Sequence, residues 1–187
     1  MINKVLTRDF FNRSAVAVAR KLLGCILVRK RLGEIERFII TETEAYDGFK
    51  DRASHASRGK TARNRIMFKP AGHIYVYFTY GMHWMLNIVT GPEDYPAAVL
   101  IRGATSLDGE FSLNGPARLT KKLGITGALN GKSLGKSAGL WIERAPQNIP
   151  LSKIKSWPRI GVAYAGPVWA KKKWRFTIAL PTNKLSL

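Results

Sequence analysis

The chain has 187 residues, of which 45% are apolar, enough for one packed core and for a single domain over residues 1–187. Its formal net charge is +19, and its one cysteine, Cys25, excludes an internal disulfide framework. No segment approaches the roughly 18 apolar residues of a membrane span, and the opening MINKVLTRDFFNRS lacks a signal peptide's apolar stretch. We therefore expect a protein that is neither secreted nor bound to a membrane, and that is cytoplasmic or nucleoid-associated in a bacterium or nuclear in a eukaryote.

The first 70 residues predict a helix, a hairpin and a long loop. Ser14 can cap a helix over AVAVARKLL, and Gly24 can end it. The runs CILVRKR and EIERFIITETEAY predict two strands joined by a tight turn at Leu32 and Gly33. The polar and basic stretch from Asp47 to Pro70 has little periodicity before a short helix in ARNRIMF, which is typical of a functional loop region.

The rest of the chain predicts a second hairpin, two further strands, one helix and a loop. GHIYVYFTYGMHWMLNIVTG predicts a second, protruding hairpin, AAVLIRG another strand, and WRFTIAL a late strand ending at Leu180. NGPARLTKKLGI predicts a helix capped by Asn114, and GKSLGKSAG predicts a flexible loop. Strands in hairpins with scattered helices indicate an α+β fold with a mostly antiparallel sheet.

The positive charge is uneven. Residues 111–187 hold 14 basic residues and one acid, Glu143, so they carry +13 of the total +19. Such a field concentrates polyanions at the surface, and nucleic acid is the commonest polyanion inside cells. A solubilising surface or an anionic-membrane binder is the alternative. The interleaved Trp and Tyr residues and the lack of an amphipathic membrane helix favour nucleic acid.

The strand FIITETEAY carries two acids in a chain that has few. Alternation in a strand predicts that Ile40, Glu42, Glu44 and Tyr46 share one face. Buried carboxylates are costly unless they are paired or used in chemistry. The two acids could pair with nearby arginines such as Arg52 and Arg58, or they could form an acid and base pair of a glycosidase.

Aromatic side chains around this strand predict a pocket. His55 lies in the polar loop nine residues after Tyr46 and could form a pocket wall. In the second hairpin, Tyr75, Tyr77 and Thr79 are predicted on one face, although rings in a strand are often only core residues. Tyr80 precedes Gly81 at the turn, and an exposed ring on a very basic protein suggests a wedge between bases.

Several separated motifs together resemble a known family. ETEAYDGFKDRASHASRGKTARNRIMF, YVYFTYGMHWMLNIVTG, AAVLIRG, NGPARLTKKLGI and LWIER are similar, in order and spacing, to the 3-methyladenine (alkyladenine) DNA glycosylases of mammals and bacteria. The resemblance extends from Phe10 to Trp174. It implies a single curved antiparallel sheet surrounded by helices. It also implies a monomeric, monofunctional enzyme without metal or cofactor, which flips damaged purines out of double-stranded DNA and hydrolyses their N-glycosidic bonds.

The resemblance also implies roles for individual residues. Glu44 matches the base that activates water, and Arg102 matches an arginine that positions the site. The positions that match the base pocket are Tyr46, Ala53, His55, Tyr77 and Asn87. The positions expected to contact DNA are Tyr80, Met82, Arg58, Lys60, Arg63 and Arg65.

Physical chemistry supports this interpretation. A base inside a duplex must be rotated out before a protein can act on it. Alkylation at N3 or N7 makes a purine cationic, so the rings of Tyr46 and Tyr77 are expected to favour it through cation–π attraction. The same cation is a good leaving group, which leaves only a positioned water and a base to be supplied. Two alternatives stay open: an RNA-binding or ribosome-associated module without chemistry, and a sugar hydrolase that uses Glu42 and Glu44.

Overall fold

An open antiparallel sheet forms the centre of the molecule. The computed structural model describes residues 4–145 and 149–179, and within these ranges all nine strands pair antiparallel, six of them in the order β3-β4-β5-β2-β1-β7. Strand β6 pairs with β5, and β9 pairs with both β2 and β8. The strands are β1 (Ile26–Arg31), β2 (Glu34–Asp47), β3 (Ile74–Thr79), β4 (His83–Val89), β5 (Ala97–Ser106), β6 (Ser112–Asn114), β7 (Leu140–Glu143), β8 (Lys155–Trp157) and β9 (Arg175–Thr177).

The helices are short and lie around the sheet. The α-helices are α1 (Arg8–Phe11), α2 (Ala15–Leu22), α3 (Pro116–Lys122) and α4 (Gly166–Lys171). The 3-10 helices span Arg65–Phe68, Gly127–Leu129, Lys136–Ala138, Leu151–Lys153 and Ala163–Ala165. This mixture of one large sheet with few helices confirms the predicted single-domain α+β fold. No helix in the described part of the chain is long and apolar enough to cross a bilayer.

Two hairpins have matching tight turns. Leu32 and Gly33 join β1 to β2 with φ angles of 51° and 85°, and Tyr80 and Gly81 begin the turn between β3 and β4 with φ angles of 53° and 66°. Two successive left-handed residues follow the right-handed twist of antiparallel strands, and this is why such turns suit hairpins. Both predicted hairpins are therefore confirmed, with Tyr80 at the tip of the second.

The two faces of the sheet bury different clusters. The main core packs α2 and α3 on one face and contains Val18, Leu22, Leu86, Val99 and Leu119 among many fully buried side chains. Each such side chain stabilises the fold by roughly 1.5–3 kcal/mol through apolar burial. On the other face, the 3-10 helix Arg65–Phe68 packs on a smaller cluster that includes Tyr75 and Ala98. The candidate site lies on this second face.

An irregularity in β2 and β5 decides which side chains reach the second face. Thr41 has no partner between the pairs Ile40↔Ala104 and Glu42↔Gly103, and Arg102 is passed over before the next pair, Thr43↔Ile101. An unpaired extra residue shifts the alternation of a strand by one. Ile40 therefore faces the main core, as does Thr43, whose hydroxyl donates to the Ala19 carbonyl at 2.9 Å. The prediction that Ile40 shares the face of Glu42, Glu44 and Tyr46 is wrong because simple alternation ignores the bulge.

The remaining local predictions were met in part. Ser14 caps α2 by accepting a hydrogen bond from the Ala17 amide, as predicted. Asn114 does not cap α3, because it ends β6, and Gly115 with φ of 104° takes the capping position. The predicted late strand shortens to β9, and its last predicted residue, Leu180, lies outside the described residues.

Candidate active site

A cavity of about 300 Å³ opens between β3–β4, β5 and two loops. This volume lies at the small end of the range for ligand pockets, roughly 300–1,000 Å³. The residues that line it are Tyr46, Ala53, Ser54, His55, Met67, Tyr75, Tyr77, Thr79, Tyr80, Met85, Asn87, Ala98, Leu100, Arg102, Pro116, Ile160, Gly161, Val162 and Tyr164. Six predicted catalytic or base-pocket residues, Tyr46, Ala53, His55, Tyr77, Asn87 and Arg102, are thus brought together, and so is the predicted wedge, Tyr80.

Glu44 lies behind the cavity wall and not in it. Its side chain has no exposed surface. One oxygen, Oε1, accepts the Ile160 amide at 2.8 Å, and the other, Oε2, accepts the Tyr46 hydroxyl at 2.8 Å. Burial raises the pKa of the Glu44 carboxyl, and the neighbouring Arg102, Ile160 and Tyr46 offset part of this increase. The Glu44 carboxylate therefore accepts a proton more readily than the carboxylate of an exposed glutamate does.

Arg102 connects Glu44 to the cavity. Its Nε lies 3.5 Å from Oε1 of Glu44 and 3.1 Å from Oε1 of Glu42, and the residue lines the pocket. Glu42 also accepts from Nη1 of Arg175 at 3.1 Å. The expected partners Arg52 and Arg58 are therefore wrong, because the acids pair with arginines on the neighbouring strands β5 and β9. Two acids and two arginines form a nearly neutral cluster under the pocket.

The Tyr46 ring forms one wall and is supported from behind by a buried ion pair. Arg159 places its guanidinium 4.8 Å from the centre of the Tyr46 ring. The same guanidinium donates to both carboxylate oxygens of Asp51, with Nη2 2.8 Å from Oδ1, and both side chains are fully buried. It also donates to the Ala45 carbonyl at 2.8 Å. The ion pair of Arg159 with Asp51 joins the loop after β2 to the segment that contains Ile160.

His55, Tyr75 and Tyr77 form the opposite side. The His55 ring meets the Tyr77 ring edge to face at 4.6 Å, and its Nδ1 is 2.9 Å from the Tyr75 hydroxyl. Partial burial of the imidazole against these rings, together with the Arg63 charge, lowers the pKa of His55 to about 4. The residue as a whole remains exposed at the pocket mouth. His55 is therefore a neutral ring at ordinary pH, able to hydrogen-bond without carrying charge.

Asn87 and Ala53 also line the cavity, Asn87 with a polar side chain and Ala53 with a small apolar one. Asn87 is 2% exposed, and its Nδ2 donates to the carbonyls of Tyr75 and Met85 at 3.2 and 3.3 Å. These bonds fix the side chain, so its carboxamide is a rigid part of the wall. The Ala53 carbonyl accepts the Tyr164 hydroxyl at 2.9 Å, which holds Tyr164 at the rim.

Comparison with known proteins decides the family. A model of the methylpurine-DNA glycosylases matches residues 9–181. A relative from Methanocella arvoryzae is 45% identical over 186 residues, covering 92% of this chain and 91% of the relative. A relative from Anaeromyxobacter dehalogenans is 45% identical, covering 92% and 83%, and one from Streptomyces avermitilis is 40% identical, covering 92% and 87%. All three bear a provisional 3-methyladenine DNA glycosylase name.

The chain belongs to the methylpurine-DNA glycosylase family. Membership makes it a DNA repair enzyme that hydrolyses N-glycosyl bonds, with DNA as the substrate. The family predicted from the motifs is therefore confirmed. In the described part of the chain, no group of three His, Cys, Asp or Glu side chains could hold a metal ion.

Two of the residues expected to contact DNA lie at the tip of the β3–β4 hairpin, and a third lies in a groove beside the pocket. Tyr80 is 78% exposed and Met82 is 66% exposed, both at the hairpin tip. Arg58 lines a second, open groove next to the pocket, together with Arg52 and Tyr164.

The other three predicted DNA contacts differ from one another. Lys60 lies 4.0 Å from Asp94 and 5.0 Å from the centre of the Phe68 ring, so part of its charge is already paired. Arg65 is exposed at the start of the 3-10 helix Arg65–Phe68. Arg63 is exposed and lies outside the cavity, with its guanidinium carbon 5.5 Å from the centre of the Tyr77 ring.

Several residues of the site have no individual role predicted from the sequence. The segment Ile160–Val162, with Tyr164, closes one side of the pocket although it has no periodic pattern. The buried pair of Arg159 and Asp51 joins residues 108 positions apart. One signal was present, because acids are scarce in this basic chain, and Asp51 in a polar loop could have been suspected of a structural role. Alternation in β5 likewise puts Ala98 and Leu100 on the same face as Arg102, so these two pocket residues could have been predicted from the sequence.

Proposed function

We propose that this protein removes alkylated purines of the 3-methyladenine type from duplex DNA, using a water molecule that Glu44 activates. The observation that carries this proposal is a fully buried carboxylate bonded to two residues of an aromatic cavity, Tyr46 and Ile160. The provisional name shared by the relatives supports the choice of substrate. The damaged nucleotide turns out of the helix and its base enters the cavity between Tyr46 and Tyr77.

The reaction needs one water and one proton acceptor. The oxygen of the water forms a bond to C1′ of the deoxyribose while the bond from C1′ to the purine nitrogen breaks, and that electron pair leaves with the base. The proton of the water passes to the Glu44 carboxylate, whose raised pKa suits it to this task. The products are a free purine and an abasic site.

A water molecule can hydrogen-bond to Glu44 alongside the two donors that already hold it. Both oxygens are already hydrogen-bonded, to the Ile160 amide and the Tyr46 hydroxyl. Each carboxylate oxygen accepts more than one hydrogen bond, so water can join these donors without replacing them. Arg102 lines the cavity beside Glu44 and positions it, while the ionised carboxylate also stabilises the positive charge that develops on the sugar.

The positive charge and the β3–β4 hairpin provide the binding to DNA. The net charge of +19 attracts the phosphate backbone before any specific contact forms. The exposed ring of Tyr80 enters the space that the flipped nucleotide vacates and prevents its return. An extruded base costs a few kcal/mol of stacking and pairing, and a damaged base costs less, which favours lesions over normal purines.

The test uses a panel of duplexes, each with one defined lesion, and measures free purine and abasic sites. Wild type is expected to release 3-methyladenine or a related alkylated purine. Glu44→Gln should lose activity by about 100-fold to 10,000-fold while DNA affinity stays close to wild type. The Gln amide can still accept from Ile160 and donate to Tyr46, so the fold should survive, and thermal melting checks this.

Two control variants sharpen the result. Glu34→Gln removes an exposed acid at the far hairpin and should leave excision unchanged. Glu42→Gln removes the partner of Arg102 and Arg175 and should weaken excision less than Glu44→Gln. If Glu42→Gln abolished excision and Glu44→Gln did not, the assignment of the base would be wrong. DNA binding without release of any purine would favour the alternative of a binding module.

A further inference from the structure

Arg63 lies against the outer face of a pocket wall. Its guanidinium carbon is 5.5 Å from the centre of the Tyr77 ring, and its Nη2 donates to the Phe78 carbonyl at 3.1 Å. Tyr77 lines the cavity but Arg63 does not. The ring therefore has a cation over one side, held by a backbone carbonyl, and the cavity on the other.

The opposite wall has a similar arrangement with a different charge balance. Arg159 covers the back of Tyr46 at 4.8 Å, but Asp51 neutralises it with two hydrogen bonds. Among the described residues, no carboxylate lies within ion-pair distance of Arg63. Arg63 is therefore the unneutralised cation behind the aromatic walls.

We propose that Arg63 is a specificity-determining residue, which reduces the preference of the pocket for cationic alkylated purines over neutral damaged purines. This inference rests on the proposed function. The attraction of a cation to an aromatic face comes from the negative potential of the ring. A guanidinium on one face lowers that potential, and it also repels a second cation on the other face.

Arg63 lies close enough to the cavity to act on a base inside it. Its guanidinium carbon is 5.5 Å from the centre of the Tyr77 ring, and His55, another pocket residue, packs against the same ring. Burial, and after it the Arg63 charge, lowers the pKa of His55. A cationic purine stacked on Tyr77 would experience the same repulsion, whereas a neutral purine such as hypoxanthine would keep its stacking contact. The expectation that bare tyrosine faces select the cationic lesion thus overlooks this guanidinium.

The experiment compares two lesions in the same duplex sequence under single-turnover conditions. One duplex carries cationic 7-methylguanine and the other carries neutral hypoxanthine, and the measured quantity is the ratio of their excision rates. Arg63→Gln and Arg63→Met should raise this ratio by about two- to fivefold, because cation–π attraction has that scale at accessible sites. Arg63→Lys keeps the charge and should hold the ratio near wild type.

A matched control variant distinguishes an effect on lesion specificity from an effect on DNA affinity. Arg65 is a neighbouring exposed arginine, and Arg65→Gln should slow both lesions equally. If Arg63→Gln also slowed both lesions equally, Arg63 would be only a phosphate contact and the inference would be overturned, as it would by a lower ratio. The lesion panel tests the proposed function separately: a wild type that releases no alkylated purine at all would refute the proposed function, whereas release with an unchanged ratio in Arg63→Gln would refute only this inference.

Discussion

Replacing Tyr80 by Asn should separate folding from base flipping. Tyr80 has a left-handed backbone with φ of 53°, which costs a residue with a bulky side chain roughly 1–2 kcal/mol. Asn tolerates this conformation better, so the substitution should relieve about 0.5–1 kcal/mol. The ring is 78% exposed, so its removal forfeits only a fraction of the roughly 1.5–3 kcal/mol of a buried side chain. The two effects nearly cancel, and the melting temperature should stay within about 2 °C of wild type.

The same change should strongly impair excision from a paired duplex. Stacking between a base and an aromatic side chain contributes about 1–3 kcal/mol, which corresponds to a loss of about 5-fold to 150-fold. Excision of the same lesion in a single strand requires little unstacking and should fall far less. Single-turnover rates on the two substrates measure the difference.

The first hairpin provides the control. Leu32 has the same left-handed conformation, with φ of 51°, and is 93% exposed at the tip between β1 and β2. Leu32→Asn should therefore raise the melting temperature by about 1–4 °C and leave excision unchanged. Equal losses for Tyr80→Asn on duplex and single strand, or a fall of several degrees in its melting temperature, would refute the reasoning about a wedge.

Three further predictions concern the pocket. The excision rate of a neutral lesion should fall with decreasing pH through the pKa of Glu44, which burial raises above the usual 4.5, because the base must be ionised. His55→Gln should not move that midpoint, since the pKa of His55 is about 4; a rate profile between about pH 5 and pH 8 tests both statements. Asn87→Ser should raise excision of guanine-derived lesions relative to adenine-derived ones, because it shortens a rigid amide in the cavity wall. Unchanged relative rates on the lesion panel would remove that role from Asn87.

Local chemistry explains what could be predicted from the sequence. Period-two patterns identified the strands on which Tyr46, Tyr77 and Asn87 lie, and the turn residues at Leu32–Gly33 and Tyr80–Gly81 located both hairpins. Such signals come from neighbours along the chain, so they survive without tertiary information.

Contacts between distant segments explain the failures. Alternation placed Ile40 on the wrong face because the bulge at Thr41 exists only through pairing with β5. The predicted partners of Glu42 and Glu44 were arginines close to them in the sequence. The arginines that pair with them are Arg102 and Arg175, which lie 58 to 133 residues away along the chain. The cation behind Tyr77 depends on a carbonyl at Phe78, 15 residues from Arg63, which no local pattern in the loop reveals.

The order in which the chain is synthesised has a consequence for the pocket. The Ile160 amide that holds Glu44, and the Arg159 side chain that supports Tyr46, belong to a segment near the end of the described residues. A chain that stops before Pro158 has every strand of the hairpins but lacks one wall of the cavity and the amide that hydrogen-bonds to Glu44. On a ribosome, the base pocket therefore becomes complete only after this late segment docks.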